Sequence, residues 1–307
     1  MDTRRKYMGI VMFSALVVAF ESVGVEAAIN TFGIGSFVVS AVPSIVAGLA
    51  LVAAMPSRSG RVARDLGRRG WMFMLATSVF IALGVLLWFD AVGRIGASKE
   101  AILGGGSSEV LFIVLLSAAF LGERLSRRET SGSVLILLGV FMVLANAETL
   151  SLDIGLGEAE AIISSFLLAV SVVMTAVLLR SHGLVPVSGI EMLLSGALLL
   201  AMGAPFGLLS WPDAAGLLVL LGLGCFPAVG ILTYYAGLPK IGASLTSVLF
   251  ALVGIMTVGV QLLVLAAVPG AEMILPRSLP LALMGGLVAF AGVYLLNTGE
   301  PTGRHAA

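Results

Sequence analysis

The sequence predicts an all-α membrane protein whose ten transmembrane helices form two inverted five-helix repeats. Three observations predict it. The chain of 307 residues is 59% hydrophobic and only 11% charged, against about 25% charge in an ordinary soluble domain, and its mean hydropathy is +1.11. Its apolar residues lie in continuous runs of roughly 20, the length that crosses a bilayer as a helix, and not in the alternating pattern of a barrel strand. Its basic residues, finally, fall on one side of those runs.

In chain order the runs lie at about 8–29, 34–55, 71–89, 98–121, 131–146, 159–179, 187–209, 215–238, 243–267 and 279–297. The connections between them are short, which leaves no room for a soluble catalytic domain. With the N-terminus inside, the inner segments hold Arg4, Arg5, Lys6, Arg58, Arg61, Arg64, Arg68, Arg69, Arg124, Arg127, Arg128, Arg180, Lys240 and Arg304. The outer segments hold only Arg94, Lys99 and Arg277. A missed or extra span would scramble that sorting. The expected location is the plasma (inner) membrane, multi-pass, with both termini cytoplasmic. Arg4-Arg5-Lys6 ahead of an apolar run also has the form of a signal peptide, but Glu21 and Glu26 do not suit such a core.

Composition excludes several classes of function. Equal numbers of acidic and basic residues, 17 of each, give no reason to expect a nucleic acid or another polyanion as partner. Cys225 has no second cysteine to pair with, and His182 and His305 cannot build a multi-histidine metal site. No metal or cofactor is therefore expected. The expected partners are a small-molecule substrate and the lipid bilayer, with the chain a monomer or homodimer.

The repeat is visible in short stretches. Trp88-Phe89-Asp90-Ala91-Val92-Gly93-Arg94-Ile95-Gly96-Ala97-Ser98 joins the third and fourth runs, and Tyr234-Tyr235-Ala236-Gly237-Leu238-Pro239-Lys240-Ile241-Gly242-Ala243-Ser244 joins the eighth and ninth. Both read aromatic-aromatic, then basic-Ile-Gly-Ala-Ser. Later in each half, Leu138-Gly139-Val140-Phe141-Met142-Val143-Leu144-Ala145-Asn146 matches Phe290-Ala291-Gly292-Val293-Tyr294-Leu295-Leu296-Asn297. The halves are residues 1–150 and 151–307. Five spans is an odd number, so the second half is inserted upside down, as in carriers whose halves rock about a midplane site.

The stretch from Trp88 to Ala145 resembles the EamA-type repeat of the drug/metabolite transporter superfamily. The resemblance rests on the aromatic pair, the Ile-Gly-Ala-Ser turn, Phe120-Leu121-Gly122-Glu123-Arg124-Leu125, and the following Gly132 and Gly139-Val140. It departs from the family at Pro269-Gly270-Ala271-Glu272-Met273 in the second half and at Ser108-Glu109-Val110 in the first. The resemblance implies transport of small metabolites, often export of amino acids or related compounds.

Carboxylates inside apolar spans are the candidate site. A charge at the bilayer centre costs roughly 2.5–3.5 kcal/mol on the lenient insertion scale. Glu109 sits midway along the fourth run, too deep to reach either surface, and Glu21 lies near the middle of the first. With no basic residue expected beside them, each either keeps its proton or takes a cation in its place. That makes both candidates for substrate binding and proton coupling, the bland alternative being a protonated glutamate bonded to a neighbouring helix. Glu26 and Glu191 fall nearer a membrane face, where solvated or capping roles are expected. Glu21 and Glu26, five apart, lie roughly 140° apart around a helix and share no face.

Gly104-Gly105-Gly106 is a candidate hinge, because consecutive glycines weaken a helix by about 1 kcal/mol each. Freed backbone there, beside Ser107, Ser108 and Glu109, would form a polar site at mid-depth, whereas close helix contact is the plainer use of glycine. Pro43 and Pro227 are further hinge candidates. Trp88, Tyr234 and Tyr235 (with Phe89) are either interfacial belt residues or the walls of a central cavity. Glu123 is expected to pair with Arg127 or Arg128, and Gly203 and Gly207 to serve helix contacts.

Together these residues predict a secondary carrier of small polar metabolites, amino acids or related amines and zwitterions. It is expected to export by alternating access, with protons as a candidate driving ion. The alternatives are a passive facilitator of the same fold and a small multidrug-type cation exporter. An embedded enzyme is disfavoured, since no histidine falls inside a span.

Overall fold

The computed structural model describes residues 3–121, 127–144, 154–179, 181–241, 246, 249–268, 270 and 273–297. Among these residues the regular structure is helical throughout. Helix α1 covers Thr3–Asn30, α2 Ser36–Ala54, α3 Pro56–Asp65 and α4 Gly67–Ile95. A short α5, Ala97–Leu103, runs through a π-turn at Gly104–Ser108 into α6, Glu109–Leu121. Then follow α7 Arg127–Leu144, α8 Leu156–Leu179, α9 Leu184–Gly203, α10 Ala214–Leu223, α11 Cys225–Ile241, α12 Val253–Ala267 and α13 Leu279–Asn297. Six segments are long and apolar enough to cross a membrane: α1, α2, α4, α8, α9, and α10 taken with α11. Apolar helices of 10–17 residues lie in α7, α12 and α13. The chain is a multi-pass membrane protein.

Several boundaries differ from the sequence reading for local reasons. Helix α4 begins at Gly67 and continues to Ile95, so Asp90 and Arg94 are helical, where the sequence placed a loop after residue 89. The eighth run breaks at Gly224 into α10 and α11. Pro227 therefore sits in the first turn of a helix, where its missing N–H costs nothing, and not in a helix interior. Pro43 does lie inside α2. The basic segment after α2 forms helix α3, which starts on Pro56, turns Arg58, Arg61 and Arg64 to solvent, and buries Val62 in a cluster with Leu178, Val187 and Ile190. Glu123, Asn146 and Gly242-Ala243-Ser244 lie outside the described residues.

Lipid tails are as apolar as leucine, so helices associate here by close approach and polar contacts more than by expulsion of water. The most extensive contacts pair α7 with α13, α4 with α8, α2 with α9, and α1 with α11; α12 lies against both α1 and α5. Glycines set these approaches. A Cβ on Gly48 would fall 2.9 Å from the Gly189 carbonyl across the α2–α9 contact, and one on Gly196 would fall 2.8 Å from the Ala41 carbonyl. On α7, a Cβ on Gly139 would fall 2.6 Å from the Ala289 backbone nitrogen. On α13, one on Gly292 would fall 2.7 Å from the Ile136 nitrogen. Serines add hydrogen bonds: Ser14 donates to the Gly230 carbonyl at 2.8 Å, joining α1 to α11, and Ser164 donates to the Gly84 carbonyl at 2.9 Å, joining α8 to α4.

Backbone cannot give way as a flexible side chain can. Replacing Gly139 by Val is therefore expected to destabilise the protein by about 1–3 kcal/mol or more. Thermal unfolding in detergent reads the change, and an unaltered midpoint would mean that α7 and α13 are not held this closely.

Candidate functional site

A cavity of about 210 Å³ lies between the helices, lined from α1, α2, α4, α5, the π-turn, α6, α8, α9, α11 and α12. Four carboxylates reach it: Glu21 from α1, Glu100 from α5, Glu109 from α6 and Glu191 from α9. Among the described residues no lysine, arginine or histidine lines it. Aromatic rings form part of the wall. Trp88 and Phe89 lie 4.8 Å apart, Tyr234 and Tyr235 pack edge-on at 5.3 Å, and Phe250 sits 4.9 Å from Tyr234.

The four carboxylates are not equivalent. The Trp88 indole N–H donates to Glu100 at 2.6 Å, and the Thr175 hydroxyl donates to Glu191 at 3.0 Å. Both of these glutamates are thus tied to a neutral donor. Glu21 is only 4% exposed, and neither it nor Glu109 has a hydrogen-bond or ion-pair partner among the described residues. Their free lone pairs face the cavity.

The π-turn explains how Glu100 and Glu109 come to share one space. Nine residues of ideal α-helix, at about 100° per residue, set two side chains on opposite faces. Here the Glu109 N–H bonds the carbonyl of Gly104, five residues back. The extra residue in that turn rotates α6 relative to α5 by roughly a quarter turn, which brings Glu109 round to the cavity that Glu100 already faces. Gly104 also makes space for its neighbour: a Cβ there would collide with the Glu100 carboxylate and stand 3.2 Å from the Ser165 hydroxyl.

The sequence-predicted site residues divide on the structure. Glu21, Glu109, Trp88, Tyr234, Tyr235, Gly105, Pro43 and Pro227 line the cavity. Ser107 and Ser108 are buried but do not line it, and the Ser107 hydroxyl is occupied by the carbonyls of Ile102 and Leu103. Gly104 and Gly106 lie behind the wall. Glu191, expected near a membrane face, is 2% exposed and lines the cavity. Glu100 was missed because the spacing from Glu109 in an unbroken helix points it elsewhere; the glycine triplet between them was the signal that could have found it.

Glu26 is fully buried and does cap, though not on its own helix. It accepts from the Ala97 N–H at 2.9 Å, from Gln261 Nε2 at 2.7 Å and from the Ile274 N–H. It thereby fixes the start of α5 and the segment before α13. Gly96 turns the chain between α4 and α5 at φ +83°, a conformation open to glycine, with the Ile274 carbonyl where a Cβ would stand. Nearby, Arg94 lies 2.7 Å from Asp90 and 3.1 Å from Glu160, Ser36 donates to Asp90, and Lys99 pairs with Glu158. Lys99, placed by the sequence in an outer segment, therefore has a partner on α8. The ends of α1, α4 and α12 and the starts of α2, α5 and α8 are tied together at this one end of the bundle.

Residues 5–145 match the EamA-like transporter family, a span that contains the motifs from Trp88 to Ala145. An uncharacterized transporter of Methanothermobacter thermautotrophicus is 25% identical over 206 residues, covering 64% of this chain and 58% of that protein. The match thus spans under two thirds of the relative's length. A crystal structure of a protein 20% identical in sequence superposes with a TM-score of 0.64 over 95% of this chain and 97% of that one, a likeness of fold. Residues 5–145 are thus similar to the EamA-like transporter family, a likeness that covers just under half of the chain.

Proposed function

We propose that the protein is an alternating-access secondary carrier that moves small amines, organic cations or zwitterions, including amino acids, in exchange for protons. One observation carries the reading: four carboxylates from four helices face one cavity that, among the described residues, no basic side chain enters. In a low-dielectric site such a constellation requires compensating positive charge, supplied by protons in one half of the cycle and by substrate in the other. The volume, about 210 Å³, lies below the roughly 300–1,000 Å³ of sites for drug-sized ligands, which favours small metabolites over bulky drugs. Exchange of a cation for protons moves little or no net charge, so the pH difference is the drive, each tenfold step in proton concentration supplying about 1.4 kcal/mol. Export across the inner membrane, with both termini cytoplasmic, fits the sorting of basic residues.

The reading takes the chain as two inverted halves, 1–150 and 151–307, of five spans each. With α5 and α6 as the fourth span, and α10 and α11 as the eighth, each helix exchanges with the one five spans later. That exchange turns the α4–α8 contact into α11–α1 and leaves α2–α9 and α7–α13 in place, and all four are observed. It also relates Ser14–Gly230 to Ser164–Gly84, and the approach at Gly139 to that at Gly292. Trp88 and Tyr234 stand four residues after the two accepting glycines. Such residue-level correspondence supports a two-fold axis through the cavity.

Counterflow in proteoliposomes tests the function, with labelled amines, amino acids and a carboxylate anion at two pH values. Accumulation of an amine or zwitterion, stronger at the higher external pH and absent for the anion, is the expected result. Passive equilibration without counterflow would replace the carrier by a facilitator.

A further inference from the structure

The number of carboxylates without a protein donor narrows the ligand further. Glu100 and Glu191 each accept from a neutral donor of the protein, whereas Glu21 and Glu109 face the cavity with no donor at all. Glu21 is only 4% exposed and Glu109 is half-buried at the cavity wall, so a negative charge on either is poorly hydrated there. Two separate cationic groups are therefore called for, one at α1 and one at α6. They are not to be replaced by one metal ion, because among the described residues no three acidic, histidine or cysteine side chains are placed to share one. Apolar side chains, Val18, Val85 and Val253 among them, form part of the wall of the same cavity. Aromatic faces at Trp88 and Tyr235 complete it, and such faces also attract ammonium groups.

We infer that the substrate is a linear aliphatic diamine, its two ammonium groups on Glu21 and Glu109 and its methylene chain along the apolar wall. This rests on the carrier reading above and specifies its ligand. Two protons leave the two carboxyl groups as the dication binds, and two return as it departs, so the exchange moves no net charge. A monoamine fills one position and leaves the other carboxylate with its proton.

The test compares diaminobutane with butylamine, equal in chain length, in counterflow by the full-length protein in liposomes. Wild-type protein is expected to favour diaminobutane by about tenfold or more, the worth of one charge-assisted hydrogen bond. Glu21→Gln and Glu109→Gln are each expected to abolish that preference, with an unchanged thermal unfolding midpoint in detergent reporting that the variants are folded; a preference retained by either variant overturns the diamine. Flux of the diamine in wild-type protein is expected to be insensitive to an imposed membrane potential. Butylamine exchanged as well as diaminobutane by wild-type protein overturns the diamine and leaves the carrier standing. Accumulation of neither amine, with a neutral zwitterion accumulating instead, also overturns the diamine alone. No counterflow of any amine or zwitterion overturns both.

Discussion

Replacing Glu109 by Gln is expected to weaken exchange and flatten its pH dependence while leaving the protein folded. Gln keeps the size of Glu and the helix propensity of its position, and no partner of Glu109 is left unsatisfied, because among the described residues it has none. What is lost is the charge. A hydrogen bond to a charged group contributes about 1.5–3 kcal/mol, so affinity for a cation falls roughly ten- to 150-fold. The sign of the pH effect follows from competition: cation and proton seek the same carboxylate, so wild-type uptake rises as external protons become scarce. Gln binds neither, and the profile flattens by the contribution of that site. Exchange with a wild-type pH profile in the variant would take Glu109 out of the cycle.

The second large effect concerns a residue that touches no ligand. Gly104→Val places branched carbon against the Glu100 carboxylate and within 3.2 Å of Ser165 Oγ. Overfilling of this kind costs about 1–3 kcal/mol, and the strain is relieved most readily by moving Glu100 away from the Trp88 indole or by closing the π-turn. Either outcome disturbs two cavity carboxylates at once. Exchange is expected to fall at least about tenfold, the rate equivalent of roughly 1.4 kcal/mol. In a protein whose other tryptophans are Phe, the Trp88 emission should shift as its N–H loses the carboxylate. Normal transport with unchanged emission would show that Glu100 is not held by this turn.

These residues also mark how much was legible in the sequence. Helical class and the aromatic pairs at Trp88 and Tyr234 followed from run length and from a repeated eleven-residue pattern, both of which survive any detail of side-chain contact. Glu21 and Glu109 were legible as carboxylates placed near the middle of apolar runs. Glu191 was not, because distance from a predicted span end stands poorly for depth when a neighbouring helix covers that end; Thr175 on α8 is the group that meets it. Glu100 escaped because periodicity assumes an unbroken α-helix, and the five-residue hydrogen bond at Gly104 changes the phase. Ser107 looked like a ligand because it neighbours Glu109 in sequence. In the π-turn its hydroxyl reaches the preceding carbonyls instead, the common local habit of serine in helices.

The ties at one end of the bundle bear on something other than the substrate. Lys99 and Glu158, with side chains only 13% and 6% exposed, are shielded from the salt that weakens the half-exposed Arg94 pairs. Glu26 adds donors from two further segments. Several separate ties close this end, so loosening one leaves the others in place. Water continuous through both ends would short-circuit the membrane that holds the protein. An end held by many ties is insulation, and what it conserves is the electrical potential across that membrane.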